Sequence, residues 1–154
     1  MFKYLIVGNS AAAVGAIEAI RSVDQKGSLA VISDEPYAAY SRPLITYYLA
    51  NQVELKNINY RPNDFYAAHE VKTVVGQKVV ELNVKESKVV LEDGKEITFK
   101  RLLLATGGKP FIPPLPGSDK QGVFTFTTLD DAKKVRKLLP RVKQVVVIGG
   151  GLIG

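Results

Sequence analysis

The feature that most narrows the fold stands at the start of the chain. Residues 4–7, Tyr-Leu-Ile-Val, are a short apolar run halted by Gly8 and followed at once by small residues. A run of that kind predicts a strand buried on both faces, as in a parallel sheet. Beyond it, Ala13, Ala16, Ile17 and Ile20 recur at helical spacing, with Glu18 and Arg21 on the other side. Residues 24–27 break that helix, and residues 29–32 form a second apolar run. Strand, helix and strand within about 30 residues make a β-α-β unit, whose crossover is nearly always right-handed.

The turn between the first strand and the helix has the spacing of a dinucleotide turn. In such a turn the first small residue permits the bend, the second lets the backbone approach a pyrophosphate, and the third lets helix and strand pack closely. Gly8, Ser10 and Ala13 take these positions as a degenerate G-x-S-x-x-A. A generic tight turn would use the same residues, so the spacing alone is weak. An acid that holds a ribose belongs at the end of the second strand, about 20 residues on. Asp34 and Glu35 stand there, although acidic residues are also common in an exposed turn before a proline such as Pro36. Turn, helix, strand and acid in that order favour a nucleotide site.

Six of the seven tyrosines fall within residues 37–66, where Pro43 opens a short helix over 44–49 and a second covers 62–68. Tyr40, Tyr47 and Tyr48 read as packing residues. Strand character resumes at 71–75. Residues 78–82, 88–91 and 97–99 read as a three-stranded antiparallel meander, turned at 83–87 and at Asp93-Gly94. Residues 101–105 are a further buried strand, closed by Thr106-Gly107-Gly108. Four prolines between 107 and 117 then mark a stiff linker and a domain boundary. Residues 129–139 have helical spacing, with Asp130 and Asp131 at the start and Lys133, Lys134, Arg136 and Lys137 later, an order that complements the helix dipole. A last buried strand over 144–148 leads into Gly149, Gly151 and Gly154, an unbroken G-x-G-x-x-G. The helix that this second dinucleotide turn requires is not within the sequence.

Composition enters mainly as exclusion. With no cysteine, disulfides, thiolate metal sites and a redox-active cysteine pair are excluded within these residues. The single histidine, His69, leaves little material for a metal site and reads as a surface residue near a helix end, with no partner. The formal charge of +6 is spread from Lys3 to Lys143, which suits an anionic cofactor as well as an ordinary surface. No basic run interleaved with aromatics is present, so no nucleic-acid partner is expected. No apolar stretch approaches the length of a membrane span, and the start lacks a signal-peptide pattern, so no membrane association and a cytoplasmic location are expected.

Four segments in order, LIVGNSAAAVGAIEAIR, VISDEPYAAYSRPLITYYLA, LLLATGGKP and VVVIGGGLIG, resemble the pyridine nucleotide-disulfide oxidoreductase superfamily. Within it they are most similar to the cysteine-independent branch of rubredoxin reductases, ferredoxin reductases, the flavin module of nitrite reductase large subunits and apoptosis-inducing factor. The resemblance implies an α/β architecture. Residues 1–108 are then the N-terminal segment of a Rossmann-like FAD-binding fold, a parallel sheet plus the antiparallel meander. Residues 109–121 are a linker, and 122–154 begin a second, NAD(P)-binding Rossmann fold, so the chain is expected to be the front part of a longer protein.

The same resemblance assigns roles residue by residue. Gly8, Ser10, Ala11 and Ala12 lie along the FAD pyrophosphate, and Asp34 and Glu35 hold the adenosine ribose. Arg42 reaches the pyrophosphate or the flavin edge, Val79 meets the adenine through its backbone, and Thr106 and Gly107 form a second small-residue turn against the FAD. Gly149, Gly151 and Gly154 belong to the NAD(P) turn. Three departures are visible: tyrosine stands at 47 where the branch often has a nearby lysine, Thr127 stands where some members have arginine, and the Gly-Asp segment that grips the ribityl chain is not within the sequence. The implied function is hydride transfer from NAD(P)H to FAD and electron delivery onward. The acceptor would be a small rubredoxin- or ferredoxin-like protein, a fused redox module such as that of a nitrite reductase, or oxygen. These 154 residues alone are expected not to turn over NAD(P)H. A flavin-holding interaction or signalling module, and a plain NAD-dependent dehydrogenase using the first fold for NAD, are the rival readings.

Overall fold

The computed structural model describes residues 1–150 and divides the chain into two compact units. The first comprises Met1–Ser41 and Leu55–Lys109; the second comprises Arg42–Glu54 with the described residues from Pro110 onward.

In the first unit, strand β1 (Phe2–Val7) leads through Gly8–Ser10 into helix α1 (Ala11–Val23) and then strand β2 (Leu29–Ser33). The apolar pattern sets this order. Ala13, Val14 and Ile17 are buried on one side of α1, with Ala16 and Ile20 packed against the same cluster. Every residue of β2 is buried, as expected of a strand with covered faces. Helix α1 stops at Asp24, which turns extended and whose Oδ1 accepts the backbone amides of Lys26 and Gly27. The ammonium of Lys3, 2.6 Å from Asp24 Oδ2, holds that carboxyl well below the usual carboxylate range, helped by the Gly27 amide and the Tyr4 hydroxyl.

Strand β3 (Val71–Val75) follows, then β4 (Val79–Asn83), β5 (Lys88–Leu91) and β6 (Glu96–Leu104). They form one six-stranded sheet in the order β3-β2-β1-β6-β5-β4. β1 is parallel to both of its neighbours, β2 and β6, and β3 is parallel to β2. β4, β5 and the first residues of β6 form the antiparallel meander. The two segments expected at 97–99 and 101–105 are one continuous strand. Its start pairs with β5, and from Phe99 onward it pairs with β1, so a single backbone stitches meander to parallel sheet.

Successive side chains of β1 alternate between two cores. Tyr4 and Ile6 join Ala13, Val14, Ile17, Leu29, Val31 and Phe65 beneath α1. Leu5 faces the opposite cluster, with Ala30, Ile32, Val89, Leu91, Ile97 and Phe99. A fully buried aliphatic side chain such as Ile6, Ile17 or Ile32 contributes about 1.5–3 kcal/mol. The end of β6 departs from expectation: within the first unit Leu103 and Leu104 belong to neither core and are 40% and 58% exposed.

Two sequence-based expectations need further correction in this unit. Arg21, placed on the solvent side of α1, donates to the carbonyls of His69, Asp24, Gly27 and Glu70, and so ties the end of the helix to the approach to β3. His69 does have partners: its ring leans on Phe65 with centroids 4.4 Å apart, and its Nδ1 lies 2.8 Å from the Phe65 carbonyl. It closes helix α3 (Phe65–Ala68), which is shorter than the expected 62–68.

The second unit holds α2 (Leu44–Leu49) and α4 (Leu129–Leu138), joined by the Arg136 guanidinium, 4.6 Å from the Tyr48 ring centroid and 2.6 Å from Asn51 Oδ1. α4 begins with a reciprocal cap. Thr128 Oγ1 accepts from the Asp131 amide, and Asp131 Oδ2 accepts from the amides of Thr127 and Thr128. Partial burial works to raise the Asp131 pKa, but those amides outweigh it and leave the group below its ordinary value. Tyr48 is buried as a packing residue should be, whereas Tyr47 is half exposed. The strand expected over 144–148 does not form. A parallel strand needs a neighbour for its backbone, none of the described strands pairs with this stretch, and Val145 to Ile148 are 66–84% exposed.

Candidate functional site

The strand order positions the site. From β1 the sheet runs outward through β2 to β3 on one side and through β6 on the other, so the order reverses at β1. β2, β1 and β6 are parallel, and their ends at Ser33, Val7 and Leu104 lie along one edge. Ligands of open α/β sheets bind outside the carboxyl ends of the strands at such a switch point.

Gly8 occupies that edge with φ +112°, a conformation favourable only to glycine. Its N–H donates to the Ile32 carbonyl at 2.8 Å, and the Ala105 N–H donates to the Val7 carbonyl at 2.7 Å. A Cβ on Gly8 would lie 2.0 Å from the Ala105 carbonyl oxygen and 3.1 Å from the Thr106 nitrogen. The turn after β1 and the turn after β6 therefore touch, backbone to backbone, through a gap that only glycine fits. Thr106 and Gly107 follow, exposed, with Gly107 at φ +68°.

Ser10 is extended at the start of α1 and its side chain makes no cap hydrogen bond. The first amide to close within the helix is that of Val14, onto the Ser10 carbonyl. The amides of Ala11 to Ala13 precede that bond and belong to the first turn, whose N–H groups lack intrahelical acceptors. Ala11 and Ala12 are exposed. No acidic residue stands in the first turn of α1, so the partial positive charge of about half an electron at a helix N-terminus is not neutralised from within the helix.

Glu35 follows β2, and its carboxylate accepts a hydrogen bond from the Tyr40 hydroxyl at 2.5 Å. Asp34 is exposed, and its Oδ1 accepts the Glu35 amide at 3.0 Å. The Gly76 and Gln77 amides donate to the carbonyls of Glu35 and Ser33, which brings the approach to β4, and so Val79, beside the end of β2. Val79 is the first residue of β4, opposite Leu91, just before a register shift. Gly8, Ser10, Ala11, Ala12, Asp34, Glu35, Val79, Thr106 and Gly107 are all in the first unit. Arg42 belongs to the second, where its guanidinium donates to the Thr127 carbonyl at 2.8 Å. Gly149 is also in the second unit, at φ +125°; Gly151 and Gly154 lie outside the described residues.

The donor set fits a dinucleotide diphosphate. Uncapped amides at a helix start suit phosphate oxygens, a glycine-only approach keeps side chains out of the way, and a carboxylate at the neighbouring strand end suits ribose hydroxyls. Three contributors escaped the sequence reading, Asn9, Tyr37 and Tyr66, while Tyr40, read as a packing residue and buried as one, also reaches the Glu35 carboxylate. Asn9 Nδ2 donates to the Tyr37 carbonyl, and the Tyr66 hydroxyl donates to Asn9 Oδ1. The one signal for them was the crowding of tyrosines into residues 37–66. Among the described residues there is no cluster of potential metal ligands, and no helix is long and apolar enough to cross a membrane.

The family model described as pyridine nucleotide-disulphide oxidoreductase matches residues 2–154. The NADH-dependent phenylglyoxylate dehydrogenase subunit epsilon of Aromatoleum evansii is 38% identical over 99% of this chain and 36% of its own length. The rubredoxin-NAD(+) reductase of Pseudomonas putida is 32% identical over 97% of this chain and 39% of its own. In fold, the crystal structure of NADH:rubredoxin oxidoreductase from Clostridium acetobutylicum superposes with a TM-score of 0.85 at 24% identity, covering 99% of this chain and 39% of that one. The chain thus spans well under half the length of these relatives. It belongs to the pyridine nucleotide-disulphide oxidoreductase family, whose enzymes use FAD with NAD(P)H as substrate.

Proposed function

We propose that residues 1–108 hold the ADP half of FAD, that 109–121 are a linker, and that 122–154 open an NAD(P)H-binding fold. The whole protein is then an FAD-dependent NAD(P)H oxidoreductase of the cytoplasm. The observation that carries this reading is the contact of Gly8 with Ala105 and Thr106 beside the uncapped start of α1. Bound FAD supplies the redox chemistry, accepting a hydride and releasing electrons to an acceptor. The chain's part is to bind and orient. Amides of Ser10, Ala11 and Ala12 neutralise the diphosphate, Glu35 with Asp34 beside it takes the ribose hydroxyls, and the Val79 backbone meets the adenine. Arg42, in the second unit, carries a fixed positive charge suited to phosphate oxygens, and Gly149, with Gly151 and Gly154 outside the described residues, is assigned to the nicotinamide-dinucleotide turn.

The names of relatives suggest the class of acceptor. Rubredoxin is named for the Pseudomonas putida relative, and a covalent putidaredoxin reductase–putidaredoxin complex is 29% identical over 90% of this chain with a TM-score of 0.77. A small electron-carrier protein or a fused redox module is the acceptor we favour. The test is to extract the cofactor from the whole protein and to follow NADH oxidation with and without such a carrier. FAD released on denaturation, with carrier-dependent oxidation, is expected. FAD without turnover would instead indicate a flavin-holding module. NAD released with no FAD would reject the proposal.

A further inference from the structure

We infer that Tyr66 and Asn9 are positioning residues for the dinucleotide, locking the phosphate turn to the segment that follows the ribose acid. This rests on the reading of the Gly8 turn as the diphosphate site. Tyr66, on α3, donates its hydroxyl hydrogen to Asn9 Oδ1 at 2.7 Å and accepts the Ala39 amide at 3.0 Å. Asn9 uses the other end of its amide to donate to the Tyr37 carbonyl at 3.1 Å. Three segments distant in sequence thus meet at two side chains: the turn after β1, residues 37–39, and α3.

Asn9 is the residue between Gly8 and Ser10, so the orientation of its side chain constrains the peptide groups on which the phosphate would rest. Residues 37–39 lead to Tyr40, whose hydroxyl meets the Glu35 carboxylate. One chain of hydrogen bonds, neutral as far as Tyr37 and ending on the Glu35 carboxylate, therefore sets the phosphate amides and the sugar carboxylate in mutual register. The anchor is firm, because the Tyr66 ring meets Phe65 edge-on at 5.3 Å and Phe65 is 5% exposed in the core beneath α1. Neither Tyr66 nor Asn9 carries charge, so neither substitutes for the phosphate-binding amides. Their effect is to hold those amides in a binding-ready arrangement before the ligand arrives.

Tyr66→Phe keeps the ring and removes both bonds at its hydroxyl; Asn9→Ala removes the turn's side-chain tether. The test is calorimetric titration of ADP into the chain, into each single variant and into the double variant, with urea unfolding of each. Each single variant is expected to weaken ADP by about fivefold, the worth of one neutral hydrogen bond. The double variant should be no weaker than about twice the worse single one, since both substitutions break the same constraint. A merely structural role would lower the unfolding midpoint and leave the dissociation constant of the folded protein unchanged. Tyr66→Phe within twofold of the parent in ADP affinity, or multiplicative losses in the double variant, would overturn the inference alone. A parent chain that binds no ADP would take down the site reading and this inference with it.

Discussion

Ser10→Asp is expected to leave the fold as stable as before or slightly more so, while weakening FAD about a hundredfold. The two effects have opposite signs because they share one cause. Ser10 precedes α1 without capping it, so an aspartate there gains a hydrogen bond to a first-turn amide and a favourable interaction with the dipole. That gain is about 0.3–1 kcal/mol. The same carboxylate occupies the amides offered to the diphosphate and sets a negative charge beside it, a juxtaposition that costs several kcal/mol. Urea unfolding and a flavin-fluorescence titration on one preparation would read both. A stabilised variant that binds FAD normally would show that the start of α1 is not the phosphate site.

Gly8→Ala is expected to destabilise the chain by about 3 kcal/mol or more and to abolish FAD binding. Alanine strongly disfavours φ +112°, and its Cβ would sit 2.0 Å from the Ala105 carbonyl oxygen. Local relief is blocked on both sides, by the Gly8 bond to Ile32 and by the Ala105 bond to Val7. Gly94→Ala is the internal contrast. Gly94 also has positive φ, at +82°, but an added Cβ meets nothing within 4 Å, so only the backbone strain of about 1 kcal/mol is expected. Thermal or urea unfolding would check both. Equal losses at the two glycines would show that the approach of Ala105 does not constrain the turn.

Local signals carried most of the fold. β3 and β5 fall on the expected residues, and α2 begins directly after Pro43, because short apolar runs and a helix-opening proline act within a few neighbours. The expectations that missed depended on partners far away in sequence. The break expected near Lys100 is bridged because β1 takes over as the partner of β6 where β5 leaves off. Residues 144–148 have strand-like side chains, but a strand needs a neighbouring backbone that no local pattern reports. Arg21 looked like a solvent-facing helix residue, yet four carbonyls converge on it, two of them, His69 and Glu70, on a segment that only the fold brings close.

The site divides in the same way. Gly8, Ser10, Ala13 and the acids after β2 stood out because they hold fixed spacings within one continuous β-α-β segment, the pattern that a phosphate turn would impose. The Tyr66–Asn9 tether was not, since 57 residues separate its ends and a tyrosine hydroxyl leaves no spacing to read.

That α1 and its turn bind the diphosphate of an adenine dinucleotide can be tested residue by residue, with ADP titrated into the isotope-labelled chain and backbone amide resonances followed. The Ser10, Ala11 and Ala12 amides are expected to move most and to saturate together with Glu35 and Val79. Saturable binding that shifts other amides and leaves those of Ser10 to Ala12 in place would contradict it.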